Sequence, residues 1–409
     1  MSILSKLKKK IKKFLRLFIL KVYGLGAKIL RTDKKIIMFE SNLGRNYTGS
    51  PRAIYEEMIK QGLDKHYHCY FVLENSNIQI PGAGRIVKRN RCKYFYLFMK
   101  AGIWICDTRL PRYIIKKPDC TYIQTWHGTP LKKLALDMDT VHMAGEKGID
   151  NYKKNFYDNT QTWDYLISQN HFSTEIFRRA FAFEKEMLEI GYPRNDVLFS
   201  KNNENDINAI KKQMGIPLDK KVILYAPTWR DNEFYGKGQY KFNRVMDFDL
   251  MQEKLSDEYV MIVKYHYLVS DKIDWTPYKD FIYSCNLSYD ISLLYLVADL
   301  LITDYSSVMF DYSLLKRPMF FFCYDLEEYR DTLRGFYFDF LEEAPGPVTL
   351  TTEELVDSIV NYNPEEYKQK REAFFQKYNH ADDGRASEKV VNLIKQIAES
   401  SSLVAIQNN

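Results

Sequence analysis

The feature that most constrains this 409-residue chain is an alternation of short apolar runs with helix-length mixed segments. A first series comprises Ile36–Phe39, Tyr67–Leu73, Gly102–Cys106, Tyr122–Thr125, Tyr165–Ser168 and Met187–Ile190. A second comprises Val222–Tyr225, Val260–Val263, Phe281–Tyr283, Leu300–Thr303 and Met319–Cys323. Each run suits a strand buried on both faces, and the segments between are long enough to cross back over a sheet. The pattern therefore predicts parallel sheets layered between helices. Between the two series lies KNNENDINAIKKQMGIPLDKK, whose Asn and Lys content marks a boundary. We expect an α/β chain of two Rossmann-like domains, residues 32–196 and 197–365, with a cleft between them. A helical tail over 366–400, broken near Asp382–Gly384, is expected to pack across both.

The charge is unevenly placed. The chain has 59 Lys and Arg against 53 Asp and Glu, net +6, but ten of the bases and none of the acids fall in residues 1–31; the remainder, 49 against 53, is net −4. A broad cationic track is absent from that remainder, so no nucleic-acid partner is expected. Within residues 1–31, Leu4, Leu7, Ile11, Phe14, Leu15, Phe18, Val22, Leu25 and Ile29 recur at steps of three and four. Lys6, Lys9, Lys10, Lys12, Lys13, Arg16 and Lys21 take most of the remaining circumference. This predicts a basic amphipathic helix lying on an anionic membrane surface; docking on the protein's own core and an RNA-binding arm are the competing readings. Its longest apolar run, Leu17 to Leu20, is far short of the roughly 20 residues needed to span a bilayer. Lys21 interrupts the only stretch a signal peptide could use, so a peripheral protein of the cell membrane is expected. The cysteines, Cys69, Cys92, Cys106, Cys120, Cys285 and Cys323, form no CxxC pair and read as reduced, buried thiols.

Five constellations at strand ends could carry chemistry. In QTWHGTP, His127 sits with Gly128 and Thr129 on a tight turn at the carboxyl edge of a sheet. There an imidazole can take a proton from a hydroxyl group, or serve only as a hydrogen-bonded loop residue. In YAPTWRD, Thr228 can cap the segment after it and Arg230 offers a planar fork to phosphate oxygens, or pairs with Asp231. In KYH, Lys264 and His266 would suit an anionic leaving group. In TDYSSVMFDYSLLKRP, Ser306 and Ser307 open a helix whose free N–H groups can hold a phosphate. There Asp304 orients a neighbour or caps the helix and Asp311 steadies the next turn; a purely structural cap is the alternative. Lastly, Arg334 beside Gly335 could reach a diphosphate or lie on the surface.

The chain has no GxGxxG after its first strand, no GxxxxGK[ST] loop and no HExxH, which lowers the odds of an ATPase or a zinc protease. Cysteines and histidines show no compact metal spacing, so no protein-held metal or cofactor is expected. His127 belongs to the first unit, whereas Arg230, His266, Ser306, Ser307 and Arg334 belong to the second. That division suits a site in which one domain holds an activated donor and the other presents the acceptor.

TWHGTP at 125–130, GYPRND at 191–196, YAPTWRD at 225–231, LITDYSSVMFDY at 301–312, RGFYFD at 334–339 and PG at 345–346 together carry a resemblance. From about Lys35 onward the chain resembles the CDP-glycerol glycerophosphotransferase family, the teichoic acid primases and polymerases of bacterial cell walls. The resemblance implies a GT-B-like enzyme at the cytoplasmic face of the membrane. Such an enzyme would move glycerol phosphate from CDP-glycerol to a hydroxyl of a lipid-linked acceptor, a polyprenyl diphosphate saccharide, and release CMP. Transfer of ribitol phosphate from CDP-ribitol, or a nucleotide-sugar glycosyltransferase reaction, is the alternative. It also implies that His127 is the base on the acceptor hydroxyl and that His266, with Arg230, Ser306, Ser307 and Arg334, holds the donor diphosphate or steadies the departing CMP. Gly128, Thr129, Thr228, Lys264, Asp304 and Gly335 complete the expected substrate-binding set. Family members often carry proline after the second histidine, where Tyr267 stands here. Magnesium would enter only as a counterion of the substrate.

Overall fold

The computed structural model describes residues 3–75, 77–141, 148–228, 234–236, 239–240, 245–264, 274–284, 289–328 and 335–407. Two wholly parallel sheets organise them. The first, in order β3-β2-β1-β4-β5-β6-β7, contains β1 (Asp33–Glu40), β2 (His68–Val72), β3 (Arg85–Val87), β4 (Ala101–Cys106), β5 (Thr121–Gln124), β6 (Tyr165–Ser168) and β7 (Glu186–Glu189). A short antiparallel pair, β9 (Phe234–Gly236) with β10 (Gln239–Tyr240), stands apart from both sheets. The second sheet, β12-β11-β8-β13-β14-β15, contains β8 (Lys221–Tyr225), β11 (Tyr259–Val263), β12 (Ile282–Ser284), β13 (Leu300–Thr303), β14 (Met319–Phe322) and β15 (Val348–Thr349).

Side-chain alternation explains why the strand sequences are almost continuously apolar. In the first sheet Ile37, Phe39, Ile103 and Ile105 face one core, while Met38, Trp104 and Cys106 face another. In the second, Leu224, Ile262, Leu301 and Phe321 enter one core and Ile223, Met261, Ile302 and Phe320 the opposite one. With both faces covered, every position must be apolar, as in β4, whose six residues are all buried. The parallel register sets Ile37 beside Cys69 and Ile103, and Leu301 beside Leu224 and Met319.

Besides the antiparallel pair β9 and β10, two strands of the parallel sheets escaped the sequence reading. β3 and β15 are edge strands of three and two residues, too short to show a period. The tail forms helices Lys368–Tyr378 and Ala386–Gln407. Phe374 and Tyr378 of the first pack under the second sheet, whereas Val390, Val391 and Ile394 of the second are fully buried beneath the first. The chain thus returns to cover the sheet it began with.

Helix α1 (Ile3–Ile29) is docked along one side. Tyr23 and Ala27 are buried, the Tyr23 ring packs on Phe95 of α3 (Cys92–Lys100), and its hydroxyl accepts the Ile115 amide at 2.9 Å. Arg16 lies over the Tyr113 ring. Docking on the protein's own core is therefore part of the answer. It does not use the apolar stripe, because Phe14, Phe18, Val22, Leu25 and Ile29 are all exposed. Among the described residues no helix is long and apolar enough to cross a membrane. Cys69, Cys106, Cys120 and Cys323 are buried, but Cys92, at the first turn of α3, is exposed; Cys285 lies outside the described residues.

Candidate active site

In an open parallel sheet the loops leave a crevice where the strand order reverses. Here the reversals fall between β1 and β4 and between β8 and β13, and the two crevices open onto one cleft of about 250 Å³. The first sheet contributes Asn42, Asn46, Thr48, Ser50, Asp107, Thr108 and His127; the second contributes Ala226, Pro227, Lys264, Tyr289, Asp290 and Ser306. Arg194, just beyond β7, stands between them.

His127 is held by an unusual turn. Trp126 adopts the left-handed backbone (φ 52°), which costs a non-glycine residue about 1–2 kcal/mol. The Trp126 amide donates to Gln124 Oε1 at 3.0 Å, and its ring is lodged among Phe177, Phe181 and Trp163. His127 stacks on that ring, 4.5 Å between centroids. Its Nδ1 lies 2.8 Å from the Asp107 carbonyl oxygen. A carbonyl only accepts, so Nδ1 carries the proton and Nε2 is left as the basic nitrogen. The ring is exposed to the cleft yet enclosed by protein atoms on its other sides. Burial, with the nearby Arg194 and Arg109 charges, lowers its pKa from the ordinary 6.5 to about 4, although the Asp107 carbonyl pulls the other way. The imidazole is thus neutral near pH 7 and able to accept a proton.

The Asp107 side chain accepts the Asn42 amide at 2.9 Å. Burial and the neighbouring Glu40 push its carboxyl up to about 7 against the opposing effects of Asn42 and Arg194. Asn42, Leu43 and Gly44 all have positive φ, so the loop after β1 is a tight left-handed coil that only Gly44 adopts freely. On the opposite wall, Lys264 Nζ donates to the Tyr289 carbonyl at 3.1 Å. Ser306 stands at the mouth of the short helix Val308–Tyr312.

Of the expected site residues, the cleft brings together His127, Lys264 and Ser306. His266, Arg230 and Arg334 lie outside the described residues. Others serve elsewhere. The Thr129 hydroxyl is buried and bonded to Gln169, Asn170 and Ser173, which leaves it nothing to offer a substrate. Asp304 accepts the Thr228 amide at 2.9 Å, tying the end of β13 to the loop after β8, so both residues shape the wall rather than line it. Ser307 packs against Gly128 so closely that a Cβ on Gly128 would lie 2.6 Å from Ser307 Oγ. This glycine is a joint between the halves. Gly335 accepts the Lys133 amide at 2.8 Å in a bridge that continues through Lys132 and Phe336. Asp311 does more than steady a turn: it receives Arg194 and Asn195 from the first half.

The sequence reading passed over Asn42, Asp107, Asp290 and Arg194 as site residues. Asp107 follows β4 as His127 follows β5, so the same strand-end logic would have found it. Asp290 had no local signal: its carboxylate crosses the cleft to accept the Gly49 amide at 2.8 Å, at the first residue of α2 (Gly49–Lys60). Arg194 lay within GYPRND. Among the described residues, no group of three or more His, Cys, Asp and Glu side chains is placed to hold a metal ion.

Two parallel α/β units that share a cleft between opposed strand-end loops define a GT-B-like fold. The chain belongs to the CDP-glycerol:poly(glycerophosphate) glycerophosphotransferase family, which it matches over residues 25–396. It is 46% identical over 394 residues to the teichoic acid poly(glycerol phosphate) polymerase of Bacillus subtilis (strain 168), covering 94% of this chain and 52% of that protein. It thus spans about half the length of that relative. The polymerase of the same name from Bacillus spizizenii is 44% identical over 393 residues, covering 94% of this chain and 99% of the relative. The solved structure of the wall teichoic acid polymerase TagF superimposes with a TM-score of 0.87 at 42% identity, over 97% of this chain and 98% of that one.

Proposed function

We propose that this chain transfers glycerol phosphate from CDP-glycerol to a hydroxyl group of a lipid-linked acceptor, a polyprenyl diphosphate saccharide or its extended product, and releases CMP. The observation that carries the reading is the neutral imidazole of His127 on one wall of a cleft whose other wall presents Lys264 and Ser306. The acceptor oxygen attacks the glycerol-bearing phosphorus as its proton passes to His127 Nε2. A new O–P bond forms, the bond to the bridging diphosphate oxygen breaks, and CMP departs with that electron pair. Lys264 and the Ser306 hydroxyl stabilise charge on the diphosphate, where His266, Arg230 and Arg334 are assigned by family resemblance. Any magnesium would accompany the substrate.

Purified protein given CDP-glycerol, CDP-ribitol or UDP-sugars with a synthetic lipid acceptor should form product from CDP-glycerol, read as a mass increment of one glycerol phosphate. Transfer from a UDP-sugar alone would overturn the reading.

On the same reading the protein sits peripherally on the cytoplasmic face of the cell membrane. The exposed stripe Phe14, Phe18, Leu25 and Ile29 of α1 would dip among anionic lipids while Tyr23 and Ala27 keep the helix fastened to the body. Replacing those four stripe residues by Gln should abolish flotation with phosphatidylglycerol vesicles yet preserve turnover on a short soluble acceptor. Undiminished flotation would sink the anchoring role.

A further inference from the structure

Arg194 bonds to both walls of the cleft at once. Its Nη1 donates to the backbone carbonyl of His127 at 2.9 Å, and its Nη2 donates to Asp311 Oδ2. The other Asp311 oxygen accepts from Asn195 Nδ2 at 2.9 Å, and Ser292 Oγ donates to the Arg194 carbonyl at 2.9 Å. Arg194 and Asp311 side chains are 12% and 1% exposed. Asp311 lies in the helix Val308–Tyr312 that follows Ser306, and Gly128, next to His127, rests on Ser307 of the same segment. One planar guanidinium therefore ties the imidazole loop of the first half to the serine-bearing turn of the second.

Resting on the reading of His127 as the base, we infer that Arg194 is a positioning residue for the transfer, setting the imidazole in register with the opposite wall through its paired bonds to the His127 carbonyl and Asp311. A buried ion pair is weak evidence for stability, since apolar replacements of equal volume often do as well. What this pair supplies is geometry. Both bonds leave one rigid fork in fixed directions, which a lysine ammonium on a flexible stem cannot reproduce. A displacement of about 1 Å in a catalytic group can cost about 100-fold in rate, so registration across a two-part cleft is a large lever.

The cleft around the His127 ring also holds the Arg194, Lys264, Asp107 and Asp290 side chains, with the Asp107 carbonyl on Nδ1. The test uses the full-length protein and two variants, Arg194→Lys and the double variant Arg194→Gln/Asp311→Asn, with CDP-glycerol and a soluble acceptor. Arg194→Lys should fold, lower kcat about 10- to 100-fold and leave the KM for CDP-glycerol within about twofold. The double variant, which removes the fork together with its carboxylate partner, should lower kcat at least as far and again leave the KM for CDP-glycerol within about twofold, a split that a merely structural role would not produce. Wild-type kcat in Arg194→Lys, a loss expressed only in KM, or wild-type kcat in a folded double variant would each overturn the inference. If the double variant does not fold, Arg194→Lys decides alone. His127→Ala separates the two levels: full turnover there defeats the reading of the base itself. Loss of turnover there, with none in Arg194→Lys, defeats only the role of Arg194.

Discussion

The two walls of the cleft differ in kind. The wall built on the first sheet is lined by neutral hydrogen-bonding groups, Asn42, Asn46, Thr48, Ser50 and Thr108, with a neutral imidazole and an Asp107 carboxyl whose affinity for its proton is raised. The wall built on the second sheet presents the Lys264 ammonium, the Ser306 hydroxyl and the Asp290 carboxylate, with the Tyr289 carbonyl fixing the lysine and the Gly49 amide engaging the carboxylate. One wall suits an uncharged alcohol awaiting deprotonation; the other suits a diphosphate. Two similar folds differ in what their strand ends carry, and under the proposed reaction the first wall takes the acceptor and the second the donor.

The strongest way to break that comparison is His127→Ala. It should reduce transfer by about 10²- to 10⁴-fold while CDP-glycerol binding persists, because the donor wall is untouched. Turnover of the unsubstituted protein should hold on the acid side until the pH nears about 4, where the imidazole gains its proton. Equal losses of binding and turnover in His127→Ala would show that the walls are not separable. Next in size, Gly128→Ala forces a methyl group onto Ser307 at the joint, and overpacking of this kind costs about 1–3 kcal/mol. A thermal melt should show the loss; an unchanged midpoint would mean that the walls part easily.

Lys264→Met should raise the KM for CDP-glycerol about tenfold, the worth of one charge-assisted hydrogen bond, and leave the acceptor KM unchanged. A rise in the acceptor KM instead would reverse the assignment of the walls. A pH-linked effect on stability concerns the first wall alone. Glu40, fully buried at the end of β1 and 3.4 Å from Arg89, has its carboxyl pushed up to about 7 by burial, against the pull of Arg89. From about pH 4.5 to 7 the unfolded chain releases this proton while the folded chain keeps it, so stability contributed here falls as pH rises. Melts across that window should show a shallower decline for Glu40→Gln than for the unsubstituted protein.

A second contrast concerns the helices near the chain ends. Both are amphipathic in sequence, yet Val390, Val391 and Ile394 of the helix Ala386–Gln407 are buried under the first sheet, while Phe14, Phe18 and Leu25 of α1 face outward. Periodicity revealed the apolar face of α1, whereas the tail read only as helix. Which face met protein depended on neighbours distant in the chain.

Much of this protein was determined by sequence alone, since continuous apolar runs between helix-length segments admit few arrangements besides layered parallel sheets. His127, Lys264 and Ser306 were visible as polar residues directly after such runs, where strand ends must open onto a crevice. Tertiary structure decided what pattern cannot encode: that Asp290 caps α2 from the other half, that Thr129 and Asp304 are occupied with their own neighbours, and that Arg194 joins the walls. The physical reason is range. Strand and helix periods arise from contacts a few residues apart, whereas the partner of a buried charge is chosen only when distant segments meet and exclude water between them.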